Sequence, residues 1–151
     1  MIFDNQHMRS ALEHALYAQV NNEVPVGAVI VMRNTDKIVS TGYNRVETDE
    51  NPTKHAEMIA IEAACKILQS KNLSECDLYV TLEPCAMCAA AISYARIGRL
   101  FYGASDPKQG AVENGGRFFT QDTCMHRPEI YEGIMSLEAS TLMKVFFENL
   151  R

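Results

Sequence analysis

The sequence predicts one α/β domain, residues 1–151, with a three-layer α/β/α architecture around a central mixed sheet of about five strands. Three observations carry that prediction. β-Branched runs alternate with alanine-rich stretches of helical length. Between residues 77 and 103 strands and helices take turns, which calls for parallel pairing with crossover helices. A chain of 151 residues that is 47% hydrophobic and 22% charged is large enough to fold around one core without disulfide support.

Taken in order, Met8, Ala11, Leu12, Ala15 and Leu16 recur at three and four, the stripe of an amphipathic helix capped by Asp4 and ending near Asn21. "VPVGAVIVMR" and "KIVSTGYN", joined by Asn34-Thr35-Asp36, read as a hairpin with Pro25 at the edge of its first strand. "HAEMIAIEAACKILQS" has the composition and length of a helix, with Asn51 or Thr53 as its cap. "DLYVTLE" reads as a buried strand, "PCAMCAAAISYAR" as a helix opened by Pro84, and "GRLFYG" as another strand. Residues 104–128, punctuated by glycine and proline, are expected to be irregular. "EIYEGIMSLEASTLMKVFFENL" is expected to form one helix, with Ile130, Ile134, Leu137, Leu142, Val145 and Phe146 as its stripe.

Charge and cysteine usage narrow the function classes. A net charge of −5 argues against a protein whose whole surface grips DNA or RNA, and leaves room for a local patch. Residues 104–151 hold Lys108, Arg117, Arg127, Lys144 and Arg151 against seven acidic residues, so no basic tract announces itself. No apolar window reaches membrane-spanning length and the N-terminal "MIFDNQHMRS" lacks a signal-peptide pattern, so a cytoplasmic protein without a membrane partner is expected. Five cysteines, an odd number, fit metal or catalytic roles in a reducing compartment better than disulfides.

The stretch that raises a chemical question is "TLEPCAMCAAA", with Cys85 and Cys88 three apart behind Pro84. Taken alone, the pair fits a redox motif, part of a metal site, or core packing. On a regular helix two residues at that spacing lie only about 60° apart in azimuth, so they face one way from its first turn. "KHAEM" lies thirty residues earlier, also at an expected helix start. His55 and Glu57 are roughly 200° apart on a helix and can meet only around something beyond its end.

One imidazole and two thiolates make a three-ligand zinc set, which leaves a tetrahedral position for water and marks a catalytic rather than a structural ion. Zinc makes hydroxide available near neutral pH, and Glu57 is then the proton shuttle rather than a ligand. Cys65 and Cys76 read as packing residues, His7 and His14 as surface groups. Cys124 and His126 lie in a loop with no partner pair, and Phe146 and Phe147 read as core.

A His-x-Glu followed by Pro-Cys-x-x-Cys is the known signature of zinc-dependent base deaminases. The chain resembles that cytidine deaminase-like superfamily, and within it the bacterial tRNA-specific adenosine deaminase family. The resemblance rests on "VPVGAVIV", "GYNR", "HAEM", "DLYVTLEPCAMCAAAI", "ARIGRLFYGASDPKQGAV" and the terminal "FF", in that order over nearly the whole chain. It implies hydrolysis of adenosine to inosine at the wobble position of a tRNA anticodon stem-loop, by a homodimer with one zinc per subunit.

Carried over by position, the resemblance makes His55, Cys85 and Cys88 the zinc ligands and Glu57 the proton shuttle. It makes Asn44 a substrate-binding amide, Ala56 and Leu82 pocket-lining residues, and Asp106 a contact to RNA beside the edited base. Two other readings stay open on the residues: a deaminase of a free base or nucleoside such as guanine or cytosine, and a non-catalytic zinc-stabilised binding domain.

Overall fold

The structure is a computed structural model that describes residues 5–150. Helix α1, Gln6–Val20, leads into the hairpin of β1, Gly27–Met32, and β2, Lys37–Tyr43. Helix α2, Ala56–Leu68, is followed by β3, Cys76–Leu82, helix α3, Ala86–Ala95, and β4, Arg99–Ala104. A short strand β5, Glu129–Tyr131, and helix α4, Ser136–Asn149, complete the chain, with one 3₁₀ turn at Phe118–Thr120. The expected cap Asp4 lies outside the described residues.

The sheet order is β2-β1-β3-β4-β5. β1 pairs antiparallel with β2 and β3, whereas β3–β4 and β4–β5 are parallel, so the sheet is mixed. Alternation along each strand feeds two cores. Ala28, Ile30, Leu78, Val80, Leu100 and Tyr102 face α2 and α3, while Val29, Val31, Tyr79 and Phe101 face α1 and α4. Helices thus cover both faces, and the central strand β3 is buried along nearly its whole length. Its one charged residue, Asp77, is buried and takes ion pairs from Arg33, in the turn that follows β1, and from Arg99 on β4.

The alanines of α2 and α3 serve close packing. Ala56, Ala60 and Ala64 share one buried cluster with Ala89 and Ala95, so the two helices lie side by side on one face of the sheet. Gly42 on β2 permits the same closeness, since a Cβ there would stand 2.4 Å from the Ala56 carbonyl oxygen.

Three expectations are corrected. The C-terminal segment is not one helix. Residues 129–131 form β5, in register with β4 through Leu100 and Ile130, Gly133 takes φ +75°, and α4 starts only at Ser136. The spacing of Ile130, Ile134 and Leu137 imitates a helical stripe, but Leu137 is 73% exposed and Ile130 belongs to the sheet. Second, neither Asn51 nor Thr53 caps α2. Asn51 Oδ1 accepts hydrogen bonds from the Thr53 N–H and hydroxyl, and the N-cap is His55. Third, His7 is buried, with Nε2 2.7 Å from Asp36 Oδ1, because α1 lies on the hairpin and turns this face inward.

Candidate active site

The site forms at the carboxyl ends of the parallel strands β3 and β4, where the crevice of an open α/β sheet ordinarily receives ligands. β3 ends in Leu82 and passes through Glu83 and Pro84 to Cys85, the N-cap of α3. α2 starts beside it with His55 as its own N-cap. Both N-caps are extended and neither side chain bonds the helix end. Ser, Thr, Asp or Asn is the usual choice there, because their oxygens satisfy orphan N–H groups. Here both positions carry side chains that could ligate a metal instead.

His55 Nδ1 lies 3.6 Å from Cys85 Sγ and 3.6 Å from Cys88 Sγ, and the candidate ligand atoms of the three residues all lie within 4.8 Å of one another. A tetrahedral ion with Zn–N and Zn–S bonds of about 2.0–2.3 Å holds its ligands about 3.5–3.8 Å apart, so the nitrogen–sulfur separations fit zinc. The donor set fits as well, since thiolate and imidazole suit this borderline-soft ion.

The charges are mutually tuned. Cys85 is drawn down to about 4, first because the Cys88 thiol donates to it and then, against the effect of burial, because His55 does. Cys88 is correspondingly raised by its bond to Cys85 and by burial. His55 is raised, first by its hydrogen bond to Cys85. Glu57, in the first turn of α2, is only 3% exposed; burial pushes its carboxyl up to about 7, against the opposing pull of backbone hydrogen bonding and of His55. A carboxyl near 7 can both take and return a proton at neutral pH.

Cys88 is fully buried, while His55, Glu57 and Cys85 open onto a cavity of about 240 Å³. That is at the small end for a ligand site and suits one base rather than a stack. Asn44, Ala56, Leu82 and Asp106 all line it, together with His55, Glu57 and Cys85. Asn44 is buried, with its backbone N–H on the Val26 carbonyl, and no hydrogen bond among the described residues occupies its side-chain amide. Asp106 Oδ1 accepts from the N–H groups of Lys108 and Gln109, which fixes the turn at the cavity's rim.

Val24, Val26 and Val46 supply an apolar wall, and Glu23, Glu83 and Gln109 further polar groups, none of which the sequence reading singled out. Glu83 had a signal: a charged residue at the end of a strand expected to be buried requires buried partners.

A second groove shares Leu82 and Asp106 with the cavity and continues past Ser105, Lys108, Lys144 and Phe147. Phe147 is 46% exposed, so it is not the core residue its sequence context implied. Phe119 is buried and Phe118 packs against the same core. Cys124 Sγ and His126 Nε2 are engaged by the carbonyls of His126 and Ile97, in keeping with a structural role.

The sequence matches the family model described as the cytidine and deoxycytidylate deaminase zinc-binding region over residues 1–104. It is 58% identical over 144 residues to a tRNA-specific adenosine deaminase of Rickettsia bellii, covering 95% of this chain and 99% of that one. Its fold is similar to a structure solved in work on A-to-I editing by tRNA:A34 deaminases at the wobble position of transfer RNA, with a TM-score of 0.89, 47% identity, and coverage of 92% of this chain and 99% of that one. A guanine deaminase of Bacillus subtilis is a more partial match: TM-score 0.64, 38% identity, and 69% and 66% of the two chains.

Proposed function

The chain belongs to the tRNA-specific adenosine deaminase family, and from that premise we propose that it converts adenosine to inosine at the wobble position of a tRNA anticodon stem-loop, as a zinc-dependent hydrolase. The observation that carries the reading is the convergence of His55, Cys85 and Cys88 beside a base-sized cavity that His55 and Cys85 line together with the buried Glu57.

In this reading His55 Nδ1, Cys85 Sγ and Cys88 Sγ hold one zinc ion per chain. Such an ion supplies Lewis-acid activation of water near neutral pH. The residues of the chain do the rest. Glu57 takes a proton from the attacking water and passes it to a ring nitrogen of the purine, then takes the remaining proton of the hydroxyl added at the ring carbon and delivers it to the departing amine, so that adenosine and water yield inosine and ammonia. Burial keeps this carboxyl poised near neutrality for both directions of transfer. Asn44 offers a donor and an acceptor to the nucleoside, and Ala56 and Leu82 confine the base. A base splayed out of an anticodon loop can enter a cavity of this kind.

The groove that leaves the cavity at Leu82 and Asp106 supports a nucleic-acid partner rather than a free base. Lys108 and Lys144 offer charge for phosphates and Phe147 a partly exposed ring for a neighbouring base, with Asp106 beside the edited nucleotide. Exposed apolar side chains on α2 and α3, Ile67 and Tyr94, support a homodimer through that layer.

Incubation with an anticodon stem-loop bearing a wobble adenosine, beside free guanine, cytosine and adenosine, tests the function. Inosine in the stem-loop is the expected product; consumption of a free base alone overturns the reading.

A further inference from the structure

We propose that Glu83 is a positioning residue for the deamination site: its buried carboxylate holds the 105–114 loop, and with it the Asp106 rim, in place against the strand end that leads to Cys85. The proposal rests on the reading of this cavity as the deamination site.

Glu83 is 2% exposed, and every described partner of its carboxylate comes from this loop. Oε1 accepts from the Asp106 N–H at 2.9 Å and the Asn114 side-chain amide at 2.7 Å, with the Ser105 hydroxyl at 3.5 Å. Oε2 accepts from three successive backbone N–H groups, Val112 at 3.0 Å, Glu113 at 3.0 Å and Asn114 at 3.1 Å. Three consecutive amides aimed at one oxygen form an anion nest, and without the carboxylate those donors would lose their partner.

The neighbouring backbone makes the same connection. The Pro84 carbonyl accepts from the Ala111 N–H at 2.9 Å, and Cys85 bridges to Gly110. A Cβ on Gly110 would stand 2.4–2.5 Å from the Glu83 carboxyl, so glycine lets the loop close over it. β3 and β4 are already paired along their lengths without this contact. What Glu83 adds is order in the segment that carries Asp106 and Gln109 to the cavity and Lys108 to the groove beyond.

Glu83→Gln tests the idea, because an amide must present its NH₂ group to one of the two sets of donors and so lacks the acceptor capacity of a carboxylate. Hydrogen exchange by mass spectrometry or NMR is the readout independent of substrate. Amides of Asp106 and Val112 to Asn114 should exchange at least about 100-fold faster in the variant, while β3 and β4 stay protected. In the stem-loop assay KM should rise about tenfold or more, with kcat changed less than about threefold and metal content unchanged. If Glu83 acts through the rim, adding Glu83→Gln to Asp106→Ala should raise KM by less than about threefold further.

Unchanged loop exchange, multiplicative KM effects, or a parallel fall in kcat, zinc content and thermal stability would each overturn the proposal. Should Glu83→Gln not fold, Asn114→Ala removes one bond to Oε1 from the loop's side and should shift KM and loop exchange in the same direction; no shift overturns the proposal. A wild-type protein inactive on the stem-loop defeats the functional reading instead, and the exchange experiment then decides on Glu83 alone.

Discussion

Gly42 on β2 lies directly against Ala56 at the start of α2, so that a Cβ on the glycine would stand 2.4 Å from the Ala56 carbonyl oxygen and 3.0 Å from the Ala60 amide nitrogen. Both contacts are backbone and cannot swing aside. The residue before Ala56 is His55 and the helix that must move carries Glu57, so strand and site are coupled through one missing methyl group. Gly42→Ala should cost about 1–3 kcal/mol of stability by overpacking. It should also weaken zinc retention, because His55 moves with the helix end. Thermal denaturation with metal analysis of the purified variant checks both.

Glu57 and Cys88 are neighbours with separable roles. Glu57→Gln should retain zinc and lose about 10²- to 10⁴-fold in kcat, the usual worth of a general acid–base. Cys88→Ala should lose the ion, and with it stability that metal binding lends to the fold. Zinc content measured beside inosine formation separates the two. A Glu57→Gln protein with stoichiometric zinc and full activity would sink the proton-shuttle role.

The opposite rim of the cavity depends on Glu23, which is 1% exposed and accepts from the N–H groups of Glu47 and Thr48 and from the Thr48 hydroxyl. Burial opposes its ionisation, yet these bonds, with the charge of Arg45, hold its carboxyl below the ordinary value. A carboxylate depressed in the folded state stabilises above its unfolded pKa, and that contribution is lost as pH falls through the folded value. The stability gap between wild type and Glu23→Gln should therefore be widest near neutral pH and shrink below about pH 4. Urea denaturation from pH 7 to pH 3 measures it; a gap that widens with acid contradicts the assignment.

The groove beyond Asp106 yields a salt test. Lys108→Ala should lower the slope of log K against log salt for stem-loop binding by about 0.7, the single-strand value for one phosphate contact. Phe147→Ala should cost about 1–3 kcal/mol of binding if a base stacks on its ring. The slope should stay unchanged in the Phe147 variant, since it removes no charge. Fluorescence titrations at several salt concentrations distinguish the two effects.

Much of this molecule is legible in its sequence because the signals are local. The stripe of α1, the β-branched runs of β1 to β4 and the alanine-rich helices each follow from side-chain period and propensity within a dozen residues. His55, Glu57, Cys85 and Cys88 stand out for the same reason: two short motifs, each at a helix start, each with a spacing that fits one chemistry. Local pattern failed where a tertiary partner decided. Residues 129–131 are too short to assert a strand alone and join the sheet because β4 offers a free edge, with Gly133 breaking the apparent helix after them. His55 is the N-cap against the ordinary capping preference, and its ring lies 3.6 Å from the sulfurs of Cys85 and Cys88 instead of bonding the helix end.

The sequence by itself therefore determined four of the five strands, most of the helices and the two motifs that carry His55, Glu57, Cys85 and Cys88, since each depends on neighbours along the chain. Only the tertiary structure decided which further residues enclose the cavity. Glu23 binds a loop 24 residues ahead of it and Glu83 one that reaches 31 residues further on, and Leu82 and Asp106 meet at the junction of cavity and groove. Those pairings arise because buried carboxylates must find donors wherever the fold places them, and no period in the sequence records where that is.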